Sequence, residues 1–204
     1  MRLRGLLGEY GLTIPVGIGH IPKVLPELIS DTDNEMTPFT RELMQELLSE
    51  LIEINSRIAR CNSRLRKICI SNDVSKRLFS IPGVGVLAAT AILASVPDPK
   101  NFKNGREFSA YLGLVPKQFS SGGKQRMAGI SKRGDKYIRK LLIHGARAII
   151  AYQERYEVKM PKKAKWIKEL RQRSGFCKTA VALANKNARV CWAIMMSDGE
   201  FKYS

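Results

Sequence analysis

Two adjacent serines, Ser120 and Ser121, stand before Gly122 and Gly123 and are followed closely by Lys124 and Arg126. A serine hydroxyl attacks phosphorus when a base takes its proton and cations stabilise the charge that develops. Lys132 and Arg133 add two cations to the same loop region. No histidine sits nearby to serve as the base, and a Ser/Gly cluster also reads as a flexible linker. From Lys117 to Arg147 one acid, Asp135, stands against Lys117, Lys124, Arg126, Lys132, Arg133, Lys136, Arg139, Lys140 and Arg147. Such an imbalance costs self-repulsion unless a polyanion relieves it, so phosphate contact is the expected use of these cations.

A second candidate site precedes the serines. The run Leu78-Phe79-Ser80-Ile81-Pro82-Gly83-Val84-Gly85 leads into an alanine-rich stretch, a helix-hairpin-helix pattern over about residues 76–95. In that reading Gly83 and Gly85 supply positive φ and close approach, and the amides opening the second helix meet a phosphate oxygen without reading any base. A purely structural turn between two packed helices has the same local sequence.

Composition narrows the class. The 204 residues hold 35 lysines and arginines against 18 acids, a formal net charge of +17 typical of nucleic-acid binders. Cationic secreted or membrane-surface proteins share such a charge. No charged start with an apolar signal core appears, nor an apolar run near the ~20 residues of a membrane span, so a cytoplasmic location without membrane contact is expected. Cys61, Cys69, Cys177 and Cys191 contain no C-x-x-C pair, and the histidines are His20 and His144. A zinc site has no support, no metal site is expected in this chain, and the thiols read as small hydrophobes. His144 reads as a packing or hydrogen-bonding residue. Trp166, Trp192 and the tyrosines are not spaced as a platform for stacking single strands.

The elements that must position these residues are helical, and the fold class expected is mainly α. Residues 1–36 carry Gly5, Gly8, Gly11, Pro15, Gly17, Gly19, Pro22 and Pro26 and read as a connector, with a short helix near Leu25. Thr37 can cap and Pro38 suits a first helical position, so a long helix is expected over 37–71. On it Leu47, Leu51, Ile54, Ile58, Cys61, Leu65 and Ile68 alternate steps of four and three, the seam of a coiled coil. A homo-oligomer through this seam is expected, with packing inside one domain as the alternative. Residues 72–204 read as a further domain with helices at Val74–Phe79, Leu87–Val96 and Arg106–Leu112. A glycine-containing loop, with room for a small hairpin, covers Lys117–Gly134. An amphipathic basic helix starts at Asp135, a cationic segment surrounds Trp166, and an apolar helix spans Lys178–Met196.

Five blocks in this order resemble one family. They are Ile81-Pro82-Gly83-Val84-Gly85, Phe108-Ser109-Ala110-Tyr111-Leu112-Gly113-Leu114-Val115-Pro116, Ser120-Ser121-Gly122-Gly123-Lys124, Gly129-Ile130-Ser131-Lys132-Arg133-Gly134-Asp135 and Arg139-Lys140-Leu141-Leu142. The chain is similar to the C-terminal region of insertion sequence 110 family transposases, which pair an N-terminal RuvC-like domain with a C-terminal serine-bearing domain. Arg4-Gly5-Leu6-Leu7-Gly8-Glu9-Tyr10-Gly11 resembles the stretch that closes that N-terminal domain.

The resemblance implies a recombinase that cuts and rejoins double-stranded DNA, with Ser121, or as second choice Ser120, becoming covalently linked to it. It also implies oligomers held partly by coiled coils and, in some members, an element-encoded guide RNA. The family's divalent metal, Mg, is held by four acids of the N-terminal domain. Glu9, Asp31, Asp33 and Glu35 have no strand scaffold to replace them. Divalent metal is therefore expected only with a separately supplied N-terminal domain, from a truncated or split element, and no strand transfer is expected from this chain alone. Two rival readings remain: a non-catalytic binder or inhibitor of the full-length transposase, and a basic RNA-binding protein unrelated to recombination.

Overall fold

The computed structural model describes residues 2–121, 124–197, 199 and 201, with the side chains of residue 2, residues 120–121 and residues 124–127 outside the description. Two compact units, Met1–Arg64 and Leu65–Ser204, divide the chain.

In the first unit, α1 (Arg2–Glu9), a 3-10 turn (Ile18–His20), α2 (Ile21–Ser30) and the start of α3 (Pro38–Ser71) surround their own apolar core. Leu3 and Leu7, and Ile21 and Leu25, are pairs four residues apart that present one face of each short helix. Gly11 and Gly17 take positive φ between the helices. Arg4 ties the intervening loop by donating to the carbonyls of Ile14, Pro15 and Gly17. Gly11, Pro15 and Gly17 fall between the helices, whereas Gly5 and Gly8 lie within α1 and Pro22 and Pro26 within α2, which is the short helix expected near Leu25; α1 is an element that the connector reading does not include. The Thr37 hydroxyl accepts from the Thr40 amide at the start of α3, and Pro38 takes the first helical position as expected. Met44 and Leu48 of α3 are buried, but Ile52, Ile54, Ile58, Ile68 and Ile70 are about half exposed along its length.

The second unit is built from α4 (Asp73–Phe79), α5 (Val86–Ser95), α6 (Gly105–Tyr111), α7 (Lys136–Ala151), α8 (Glu154–Glu157) and α9 (Pro161–Met196). Helices α4 to α7 begin and end within about two residues of where the sequence places them, whereas α8 is not expected from it and α9 begins at Pro161 rather than at Lys178. Asn72, Asn104 and Asp135 cap α4, α6 and α7 by accepting from backbone amides two or three residues on. One antiparallel hairpin, β1 (Pro116–Ser121) and β2 (Lys124–Ile130), occupies the expected loop. The core joins Leu78, Ile92, Phe108, Leu142, Leu183 and Cys191 from five helices.

Within α9, Gly175 has φ 77° and ψ 170°, which breaks the helical path. A straight helix would hold residues 163 and 187 about 36 Å apart at ~1.5 Å per residue. Instead the Lys163 ammonium donates to Asn187 Oδ1 at 3.2 Å, and the Lys186 ammonium lies 4.7 Å from the Trp166 ring centroid. Residues 161–174 and 176–196 are therefore two runs folded back on each other about one glycine.

Candidate nucleic-acid interface

The α4–α5 turn is seated on α7 and α9. Gly83 has φ +88°, and a Cβ there would come within 2.9 Å of Ile149 Cδ1 and 3.0 Å of Asn187 Nδ2. A Cβ on Gly145 of α7 would run into the Gly83 carbonyl oxygen. Asn187, fully buried, donates from Nδ2 to the Pro82 carbonyl at 2.9 Å. Its Oδ1 receives Lys163, whose burial pushes the ammonium pKa down to about 8, with Lys186 adding to that shift. The close approach expected of Gly83 thus serves packing against two helices. Gly85 departs from the expected positive φ: it adopts φ −81° as the exposed N-cap of α5.

The base of the hairpin is held by interlocked backbones. The Ser131 amide donates to the Val115 carbonyl at 2.8 Å, and the Lys132 amide to the Gly113 carbonyl at 3.1 Å. Gly113 and Gly134 both take positive φ, where a Cβ would strike the carbonyls of Arg133 and Tyr111 respectively. Lys132 itself sits at φ 55°. Arg139 explains why the two strands of this interlock stay together. It is only 8% exposed, and its Nη1 donates to the carbonyls of Leu112 at 3.0 Å and Arg133 at 3.3 Å. That placement corrects its assignment to phosphate contact, because burial and carbonyl partners occupy the group.

Above this base Lys117 and Phe119 are exposed on β1. Ser121 pairs with Lys124 and Ser120 with Gln125 in the hairpin register, so both serines belong to the last residues of β1. The side chains of Ser120, Ser121, Lys124 and Arg126 lie outside the described residues, as do Gly122 and Gly123. Lys132, Arg133, Lys136 and Lys140 are exposed, as the sequence leads one to expect. The single acid of the region, Asp135, accepts from the Ile138 amide at 2.8 Å as the cap of α7. Its carboxylate keeps its charge, but one acid against nine lysines and arginines between residues 117 and 147 leaves the region strongly positive. Tyr137, Lys140, His144 and Arg147 follow steps of three and four along the exposed side of α7. His144 is exposed there, although the sequence suggests a packing or hydrogen-bonding residue.

Among the described residues no three His, Cys, Asp or Glu side chains come together in a way that could hold a metal ion. Asp31 is committed to its own turn, its Oδ1 accepting from the Asp33 amide. No described helix is long and apolar enough to cross a membrane.

As a class, this is a mainly helical, strongly cationic protein whose second unit carries a serine-ended hairpin. Residues 75–159 match the Transposase IS116/IS110/IS902 family. The chain is 41% identical over 193 residues to the transposase for insertion sequence element IS1111A of Coxiella burnetii, covering 95% of this chain and 52% of that protein. A probable family 20 transposase of Pseudomonas aeruginosa is 41% identical over 194 residues, with 95% and 56% covered. The transposase for insertion sequence element IS1328 of Yersinia enterocolitica is 33% identical over 195 residues, with the same coverages. Residues 75–159 thus carry the IS116/IS110/IS902 transposase family match, and the chain, similar to the C-terminal part of these curated relatives, spans about half of their length.

Proposed function

We propose that this chain is the DNA-binding C-terminal region of an insertion-sequence transposase, engaging duplex DNA through its phosphates and presenting Ser121, with Ser120 as second choice, as the nucleophile. The observation that carries the reading is the exposure of Lys117, Lys132, Arg133, Lys136 and Lys140 around a single acid, Asp135. A surface so charged gains free energy by releasing counterions from a polyanion. The exposed amides opening α5 at Gly85 supply a further backbone contact of the helix-hairpin-helix kind. The exposed isoleucines of α3 support a coiled-coil homo-oligomer, and the family resemblance extends the partners to an element-encoded guide RNA. By the family resemblance, strand transfer needs the divalent metal held by the family's N-terminal RuvC-like domain together with this region.

The test is the salt dependence of duplex binding. Lys136→Gln and Lys140→Gln should each lower the slope of log affinity against log salt by about one. Unchanged slopes in both folded variants would remove the phosphate-contact reading. With the N-terminal domain supplied, Ser121→Ala should keep duplex binding and lose a covalent protein–DNA adduct. An adduct that persists in Ser121→Ala and disappears in Ser120→Ala transfers the role to Ser120.

A second reading is favoured by the same exposed isoleucines: a non-catalytic partner that pairs with full-length transposase and inhibits it. Titrating the chain into a full-length relative should then depress transposition, and Ser121→Ala should depress it equally.

A further inference from the structure

The fold-back of α9 does something that the spacing of the aromatic residues does not suggest. Trp166 and Trp192, the two tryptophans of the chain, line one groove of about 1500 Å³ bounded by the hairpin base, the start of α6 and α9. Its volume exceeds the ~300–1,000 Å³ usual for small-molecule sites, which suits a chain segment better than a single small molecule. Val181, Ala182 and Ile130 make much of the floor, and Arg106, Lys132, Lys178, Lys186 and Arg189 bring positive charge to it. None of the described lining residues is acidic. The Lys186 ammonium lies 4.7 Å from the Trp166 ring centroid, so a phosphate held by that lysine leaves its base beside an indole.

An apolar, tryptophan-bearing floor with cations and without carboxylates does not match duplex DNA, whose bases are stacked inside and whose rigid outer surface is phosphate. It matches a strand whose bases are unpaired: the faces lie on aromatic and apolar side chains, and the backbone follows the cations. Lys132, held at φ 55° by the interlocked hairpin base, points the same assignment toward a strand leaving the hairpin, because that residue belongs both to the groove lining and to the exposed cationic surface. We propose that this groove binds an unpaired segment of single-stranded DNA by stacking and phosphate contact. The proposal rests on the DNA-binding reading above and adds a site for melted DNA next to the serine-bearing hairpin.

Because both tryptophans line the groove, intrinsic fluorescence reports on it directly. The intact chain is titrated with a short oligothymidylate, the corresponding duplex, an oligouridylate and polyglutamate at matched salt. Saturable quenching by oligothymidylate, at lower concentration than for the other three, is the expected result. Trp166→Ala should weaken that binding about 5- to 150-fold, and Trp166→Phe should restore most of it. Lys186→Gln with Arg189→Gln should lower the salt slope by about 1.4, at ~0.7 per single-strand phosphate contact, while the protein remains folded. Equal quenching by duplex overturns the assignment to unpaired bases. Equal or tighter quenching by oligouridylate or polyglutamate overturns the assignment to DNA, and oligothymidylate binding that leaves the fluorescence and the variants unaffected overturns the groove. Duplex binding without any single-strand binding defeats this proposal alone, whereas loss of binding to every DNA defeats the DNA-binding reading as well.

Discussion

Arg139 and Lys140 are neighbours in sequence with opposite fates. Arg139 sits three residues before Leu142 and seven before Ala146, on the buried side of α7, and its guanidinium stitches the carbonyls of Leu112 and Arg133. Lys140 is exposed on the other side. Removing a buried donor strands its acceptors, at a cost of about 1–3 kcal/mol. Arg139→Gln should therefore lower the unfolding free energy by that amount and leave the salt slope of duplex binding unchanged, as denaturant melts and binding titrations would show. Lys140→Gln should do the reverse. The cationic excess was legible in the sequence, since counting residues suffices for it. The inward turn of Arg139 was not, because a run of five basic residues around Asp135 hides a one-residue difference in helical phase. The serines present another case: their residue types suggest the chemistry, but nothing local in the sequence supplies a base.

At the level of elements, helix boundaries followed from caps and periodicity. Asn72, Asn104 and Asp135 are polar residues placed where unpaired amides need an acceptor. The seating of the α4–α5 turn was less legible, because Gly83 meets Gly145 across 62 residues of sequence (145 − 83) and neither glycine announces its partner. Gly145→Ala should destabilise the fold by about 3 kcal/mol or more, since the added carbon meets a carbonyl oxygen in a close-packed contact. Gly85→Ala, with φ −81° and open space around it, should cost less than about 1 kcal/mol. Comparing the two melts checks whether the first glycine of the motif serves packing; equal losses would contradict that view. The fold-back at Gly175 also escaped the sequence, where residues 159–173 read only as a cationic segment. One glycine at positive φ suffices to reverse a helix, and it brings Trp166 and Trp192 into one groove although they stand 26 residues apart (192 − 166).

For the molecule as a whole, the mainly helical class was legible from the spacing of apolar residues. The heptad seam was legible as a pattern, and α3 leaves Ile54, Ile58 and Ile68 about half exposed along it. If copies of the chain cover that seam, Ile58→Lys should weaken self-association at least about tenfold in sedimentation experiments without reducing helix content. A wild-type mass that stays monomeric at every concentration would refute the seam. The buried Asn187 has a bearing on the order of events during protein synthesis. Its amide holds the Pro82 carbonyl from 105 residues further along the chain. A ribosome therefore finishes the Pro-Gly-Val-Gly turn long before it makes the side chain that seats it, and a nascent chain that has not yet reached Asn187 carries the charge of a nucleic-acid binder without the fixed turn. Assembly of this surface is coupled to translation of the second run of α9, so an unfinished chain does not present it in its final form.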